Sequence, residues 1–230
     1  MLMNKSNFGI ILLFHSMLIL ANAQDWANLN RYSEENAALK FPIKGEQRVV
    51  FMGNSITDSW IKFHPEYFED HSYIDRGISG QTTPQMLLRF RADVIDLKPV
   101  VVIILAGTND IAGNTGPMTL EMIRDNIISM AELARVNGVK VILASVLPAI
   151  EYPWKQGMDP ANKIPALNKL LQKYALQEGI IYLDYYTAMV NKQSGLKTDL
   201  TYDGVHPNRA GYDLMEHLAE KALQVAFAAP

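Results

Sequence analysis

Apolar runs and amphipathic stretches alternate along most of this chain. Runs rich in Val, Ile and Leu at residues 48–52, 73–76, 100–106, 139–146 and 180–184 predict five strands. The longer runs are continuously apolar, which is the pattern of parallel strands covered on both faces rather than of half-solvated ones. Between the third and fourth runs, Leu120, Ile123, Ile127, Met130 and Ala134 recur at helical spacing, with Thr119 placed to cap the helix and Gly138 to end it. A second helix is expected from Asn162 or Lys163 to Glu178, stopped by Gly179, and a last one from Gly211 to about Phe227 presenting Leu214, Leu218 and Val225. Residues 24–45 read as an N-terminal helix and a connection.

Strands separated by helices predict an open, doubly wound α/β sheet with right-handed crossovers and helices on both faces. No linker, repeat or low-complexity tract divides it, so residues 24–230 are expected to form one domain. In such sheets, ligand sites form beyond the carboxyl ends of the strands.

The first 23 residues differ from the rest. Lys5 precedes a mainly apolar stretch from Phe8 to Leu20, and Ala21-Asn22-Ala23 supplies a small-x-small cleavage pattern. This predicts a secretory signal cleaved before Gln24, because the stretch is short for a ~20-residue span and is broken by His15 and Ser16. The processed protein is then expected in the periplasm or outside the cell, without stable insertion in a membrane. The net charge of −3, with no Lys/Arg run, argues against a nucleic-acid partner. The absence of cysteine removes disulfides, thiolate nucleophiles and Cys-ligated metals. Hydroxyl, carboxylate and imidazole chemistry is left.

Four segments stand at comparable places. GNSITD (53–58) follows the first strand, RGISGQTT (76–83) the second and AGTND (106–110) the third, while DGVHPN (203–208) precedes the last helix. Glycine, asparagine and aspartate are common turn formers, so each segment also has a plain structural reading. Ser55 at a strand end is either a helix cap or an exposed nucleophile. Asn54 and Asp58 read as turn or capping groups. His206 is a candidate base for the Ser55 proton, with Asp203 orienting its imidazole; alternatively Asp203 caps a turn and His206 packs. The Asn109 amide, the Gly80 N–H and the Ser55 N–H are candidate donors for the oxyanion of an acyl-transfer intermediate. The alternatives are local backbone satisfaction by Asn109 and a positive φ at Gly80.

These four blocks, in this order, resemble those of the SGNH hydrolases, the GDSL-type esterase and lipase superfamily. The likeness covers most of the chain after the leader. The resemblance implies a three-layer α/β/α flavodoxin-like fold with a five-stranded parallel sheet. It also implies a serine esterase with Ser55, His206 and Asp203 as catalytic residues, an oxyanion hole from Ser55, Gly80 and Asn109, and neither metal nor cofactor. The run through GISGQTT and DGVHPN is most similar to the branch of platelet-activating-factor acetylhydrolase subunits. The first block departs from the family's usual Gly-Asp-Ser-Leu, having Gly53-Asn54-Ser55-Ile56. The stretch also lacks the second glycine of a G-x-S-x-G nucleophile elbow.

The leader and the lack of a long lipid-binding apolar segment favour a carbohydrate ester as substrate, with short acyl groups such as acetyl removed. A lysophospholipid or acyl-thioester is the alternative, and a noncatalytic carbohydrate-binding protein is a third reading. Tyr152 and Trp154, in EYPWKQ after the fourth strand, supply either an aromatic wall for a sugar ring or a packed lid. His64 and His71 match no metal-ligand spacing and are expected to be solvated or packing side chains.

Overall fold

A computed structural model describes residues 25–229; the predicted leader, residues 1–23, lies outside them. In chain order the first half forms α1 (Ser33–Ala38), β1 (Val49–Gly53), α2 (Ser55–Phe63), α3 (Pro65–Glu69), β2 (Tyr73–Gly77), α4 (Thr83–Asp93), β3 (Val101–Leu105) and α5 (Thr108–Ile111). The second half adds α6 (Leu120–Val136), β4 (Lys140–Ala144), α7 (Pro160–Glu178), β5 (Ile181–Leu183), α8 (Tyr185–Met189) and α9 (Arg209–Ala228).

All five strands pair in parallel in the order β2-β1-β3-β4-β5. The predicted five-stranded parallel sheet is therefore the one found. Successive side chains of a strand point to opposite faces, so each apolar run divides between two cores. Val50, Met52, Val102, Ile104, Val141 and Leu143 pack with α4, α6 and α7, whereas Val49, Phe51, Val101, Ile103 and Ile142 pack with α2, α3, α8 and α9. This division makes three layers.

The helix signals at α6 act as expected. Thr119 Oγ1 accepts from the Met122 N–H at 3.2 Å, and Gly138 has φ +76° just beyond the end. α7 starts at Pro160, earlier than the apolar pattern indicates, because proline at the first helical position lacks only an N–H that would have no partner there. α9 buries a different face from the one expected. Tyr212, Met215, Ala219, Ala222, Leu223 and Ala226 face the core, Leu214 and Leu218 flank them, and Val225 is exposed. Its alanines are small enough to bring the helix close to the sheet, which large-residue periodicity does not register.

The chain places β2 on one side of β1 and then crosses to put β3 on the other. The two strand ends flanking this reversal carry Ser55 and Asn109. α2 lies so close to the end of β2 that a Cβ on Gly77 would stand 2.0 Å from the Asp58 backbone nitrogen. Glycine is needed there for space alone. No helix of the described residues is long and apolar enough to cross a membrane.

Candidate active site

β1 ends in Gly53, and α2 begins directly at Ser55 with Asn54 in the cap position. Ser55 is therefore the first helical residue and not the cap. The Asn54 side chain makes no capping hydrogen bond, and Asp58 accepts from Ser79 Oγ and lies 3.6 Å from Lys62 Nζ. Of the turn or capping roles expected, Asn54 takes the cap position through its backbone alone, and the Asp58 side chain pairs with Ser79 and Lys62 instead. Ser55 Oγ instead lies 3.0 Å from His206 Nε2, although 151 positions separate the two residues.

The loop before α9 holds the histidine in place. His206 Nδ1 is 2.7 Å from Asp203 Oδ2, while Asp203 Oδ1 accepts from the backbone N–H groups of His206 at 2.7 Å and Val205 at 2.9 Å. Thr201 Oγ1 donates to the His206 carbonyl at 2.6 Å and accepts from the Gly204 N–H at 3.0 Å. Gly204 turns the chain with φ +88°. Burial raises the Asp203 pKa, but the hydrogen bonds from His206 and Val205 outweigh it and hold the carboxyl below its ordinary value. The ionised carboxylate can only accept, so Nδ1 carries the hydrogen and a neutral imidazole leaves Nε2 free to accept from the Ser55 hydroxyl.

Gly80 sits in the turn after β2 with φ +80°, where a Cβ would have open space around it. Its glycine is explained by that backbone angle. Asn109 is buried in the first turn of α5, and its amide donates to the Gln81 carbonyl at 2.9 Å. A primary amide has two donors, so one such bond leaves a second hydrogen. The Gly80 and Ser55 N–H groups donate to no other protein group among the described residues.

Asn114 ties these pieces together and was missed in the sequence. Its N–H donates to the Asn109 carbonyl at 3.0 Å, its amide to the Gly80 carbonyl at 3.2 Å, and its Oδ1 accepts from Trp154 Nε1 at 3.3 Å. The only available signal was a second asparagine shortly after AGTND, which no local pattern distinguishes from a turn residue. Asp110, the last residue of that block, turns away to α4. Its Oδ1 accepts from the Thr83 N–H at 2.8 Å and Thr83 Oγ1 at 2.6 Å, and burial raises its pKa despite those bonds.

Two aromatic side chains flank His206. The Tyr202 ring stacks on the imidazole at 5.8 Å and 11°, and Trp154, itself stacked on Tyr152 at 5.1 Å, lies 6.0 Å from the imidazole. Tyr202 is 59% and Trp154 44% exposed, whereas Tyr152 is fully buried. The two expectations for EYPWKQ thus divide, with Tyr152 packing and Trp154 facing solvent. An open cleft of about 460 Å³ lies alongside, lined by Tyr152, Pro153, Gln156, Thr201, Tyr202 and Asp203 among others.

The profile of the GDSL-like lipase/acylhydrolase family matches residues 51–214, which spans both the Ser55 and the His206 segments. The chain belongs to that family. Its GDSL-type architecture is shared with a GDSL-like lipase of Bacteroides thetaiotaomicron at 49% identity and a TM-score of 0.83, over 87% of this chain and 98% of that one. Esterase TesA of Pseudomonas aeruginosa is 26% identical over 179 residues, 76% of this chain and 83% of TesA. An uncharacterized lipoprotein of Bacillus subtilis, YqeF, is 40% identical over 81 residues, which amount to 34% of this chain and a third of the length of YqeF. As a GDSL-type acylhydrolase, the protein is an ester-hydrolysing enzyme.

Proposed function

We propose that this acylhydrolase is exported and removes short acyl groups, such as acetyl, from carbohydrate esters through a serine nucleophile. The single observation carrying the mechanism is the hydrogen-bonded line from Ser55 through His206 to Asp203. In this reading Ser55 Oγ attacks the acyl carbon while His206 Nε2 takes its proton, and Asp203 stabilises the imidazolium that forms. The tetrahedral oxyanion receives hydrogen bonds from the Ser55 and Gly80 N–H groups and the Asn109 amide. Collapse transfers the His206 proton to the departing alkoxide and leaves an acyl-serine. Water, deprotonated by His206, then attacks that ester, releasing the acid and restoring the Ser55 hydroxyl. No metal or cofactor enters these steps.

Asn109→Ala deletes the one side-chain donor of this set. Loss of a comparable donor costs about 10²–10³ in kcat, or about 2.7–4 kcal/mol. Steady-state kinetics on an aryl acetate are expected to show that fall, and a wild-type kcat would remove Asn109 from the oxyanion role.

The carbohydrate preference rests on Trp154 and Tyr202, exposed rings beside the imidazole and next to an open, partly polar cleft. Aromatic faces suit the apolar faces of sugar rings. Trp154→Ala is therefore expected to raise KM for acetylated oligosaccharides by a larger factor than KM for a small aryl acetate. Equal effects on both would leave the ring without a role in sugar binding. A parallel screen with lysophospholipids and acyl-thioesters tests the substrate class, and faster turnover of either would replace the carbohydrate assignment. Export through residues 1–23 is tested by the N-terminal sequence of the protein recovered outside the cytoplasm, expected to start at Gln24.

A further inference from the structure

Among the described residues, the side chains of His64, Asp213 and Glu216 bring their ligand atoms within 4.8 Å of one another. We propose that this cluster binds a divalent transition-metal cation, with Zn²⁺ as the best fit, at a site made of none of the residues assigned to the ester chemistry. The proposal departs from the sequence expectation for His64, which pairs with no other histidine or cysteine in sequence.

His64 joins α2 to α3 and is only 4% exposed, so it is not solvated. Its Nε2 is buried without a hydrogen-bond partner and lies 3.5 Å from Asp213 Oδ1, while Nδ1 is 3.1 Å from Glu216 Oε1 and 3.6 Å from Glu66 Oε1. Asp213 and Glu216 stand three positions apart on α9 and so share one helix face. Glu216 Oε1 is fixed by accepting from Trp60 Nε1 at 3.0 Å.

Zinc bonds of about 2.0–2.2 Å to N and O ligands, arranged tetrahedrally, separate ligand atoms by roughly 3.4 Å. His64 Nε2 and Asp213 Oδ1, 3.5 Å apart, stand at that separation, while Glu216 Oε1 lies on the Nδ1 side of the ring, within the 4.8 Å spread of the cluster, and closes on the same cation by a side-chain rotation. An imidazole nitrogen and carboxylate oxygens are ligand types that zinc takes, and three protein ligands leave a fourth tetrahedral position for water. Charge points the same way, since Glu66, Asp213 and Glu216 surround a single imidazole, and among the described residues Arg209 pairs with Glu66 alone of the three, at 4.0 Å. A divalent cation offsets carboxylates that are otherwise held close together. The Asp213 side chain is 63% exposed, which leaves an entry path from solvent.

The placement gives the site a consequence. α2 begins at Ser55 and its last turn leads into His64; α9 begins just after His206 and carries Asp213 and Glu216 in its first turns. A bound cation joins the helices that carry both ends of the Ser55–His206 contact, and binding the folded state alone stabilises it.

The test is calorimetric titration of the metal-free, EDTA-dialysed protein with Zn²⁺, with Mg²⁺ and Ca²⁺ in parallel, together with the melting temperature in each ion. Wild type is expected to bind one equivalent of Zn²⁺ and melt higher with it. Asp213→Asn, an exposed change that spares the fold, is expected to weaken binding by more than about tenfold, the lower bound set by loss of mere outer-shell partners. His217→Gln, a neighbouring α9 histidine outside the cluster, is expected to bind as wild type. No stoichiometric Zn²⁺, a preference for Mg²⁺ or Ca²⁺, or unchanged affinity in Asp213→Asn would overturn the proposal.

Discussion

Ser55→Ala is expected to reduce kcat on any ester substrate by a factor on the order of 10⁶, the scale of losing the nucleophile of a serine triad. That factor corresponds to about 8 kcal/mol of transition-state stabilisation. The same variant should keep its fold. Ser55 occupies the first position of α2, its hydroxyl hydrogen-bonds to His206 Nε2 alone among the described residues, and the cap position belongs to Asn54. Alanine is favourable within helices, so stability is expected to change by no more than about 0.5 kcal/mol. Two measurements check this: steady-state kinetics with an aryl acetate, and covalent labelling by a fluorophosphonate. Wild type should take one equivalent of label at Ser55 and the variant none. A variant retaining activity within about tenfold of wild type would remove Ser55 from the role of nucleophile.

Arg89→Met carries the largest expected effect on stability. Arg89 is wholly buried in α4, where its Nε donates to Gln81 Oε1 at 2.6 Å and Nη1 to Asp93 Oδ2 at 2.9 Å. Its Nη2 donates to the carbonyls of Gly53 and Arg76, both at 2.9 Å. These are the ends of β1 and β2, so a single guanidinium ties together the strand ends that lead into Ser55 and Gly80. Burial lowers the Arg89 pKa, and Asp93 draws it back. Methionine fills the space of the stem but takes the cationic partner from a buried Asp93, which keeps only the Asn36 amide, and removes a donor from each of two carbonyls, leaving that of Gly53 the Ile78 N–H. Breaking such a pair from one side costs about 3–5 kcal/mol. For a chain of this length that corresponds to a fall in Tm of roughly 10 °C. The double change Arg89→Met with Asp93→Leu removes both charges and is expected to recover much of the loss. Urea unfolding of the two proteins settles the matter, and a single variant within about 1 kcal/mol of wild type would show that water replaces the guanidinium without penalty.

The Arg89 network also marks where reading from the sequence stops. An arginine in LLRFRAD, between Leu88 and Phe90, carries no local sign that it will be buried, since the groups it satisfies lie 4 to 36 positions away. Asn114 was hidden for the same reason, because its partners Gly80 and Trp154 lie 34 and 40 positions distant. The face of α9 was misread because Ala219, Ala222 and Ala226 are equally at home buried or exposed. The strand positions were legible because β1, β3 and β4 are buried along nearly their whole length and so demand unbroken apolar runs.

The amino-acid order alone thus determined the strands, the two-sided cover of the sheet, the capped α6 and the four polar segments that interrupt strand ends. Each follows from short-range rules: side-chain alternation, helical periodicity and the backbone angles that glycine permits. Tertiary structure decided which of those segments meet. The crossing of the chain at β1 and β3, and the return of α9 beside α2, bring Ser55 to His206 and His64 to Asp213. Those contacts join residues about 150 positions apart, and only the burial of two apolar faces against one sheet supplies the free energy that holds them together.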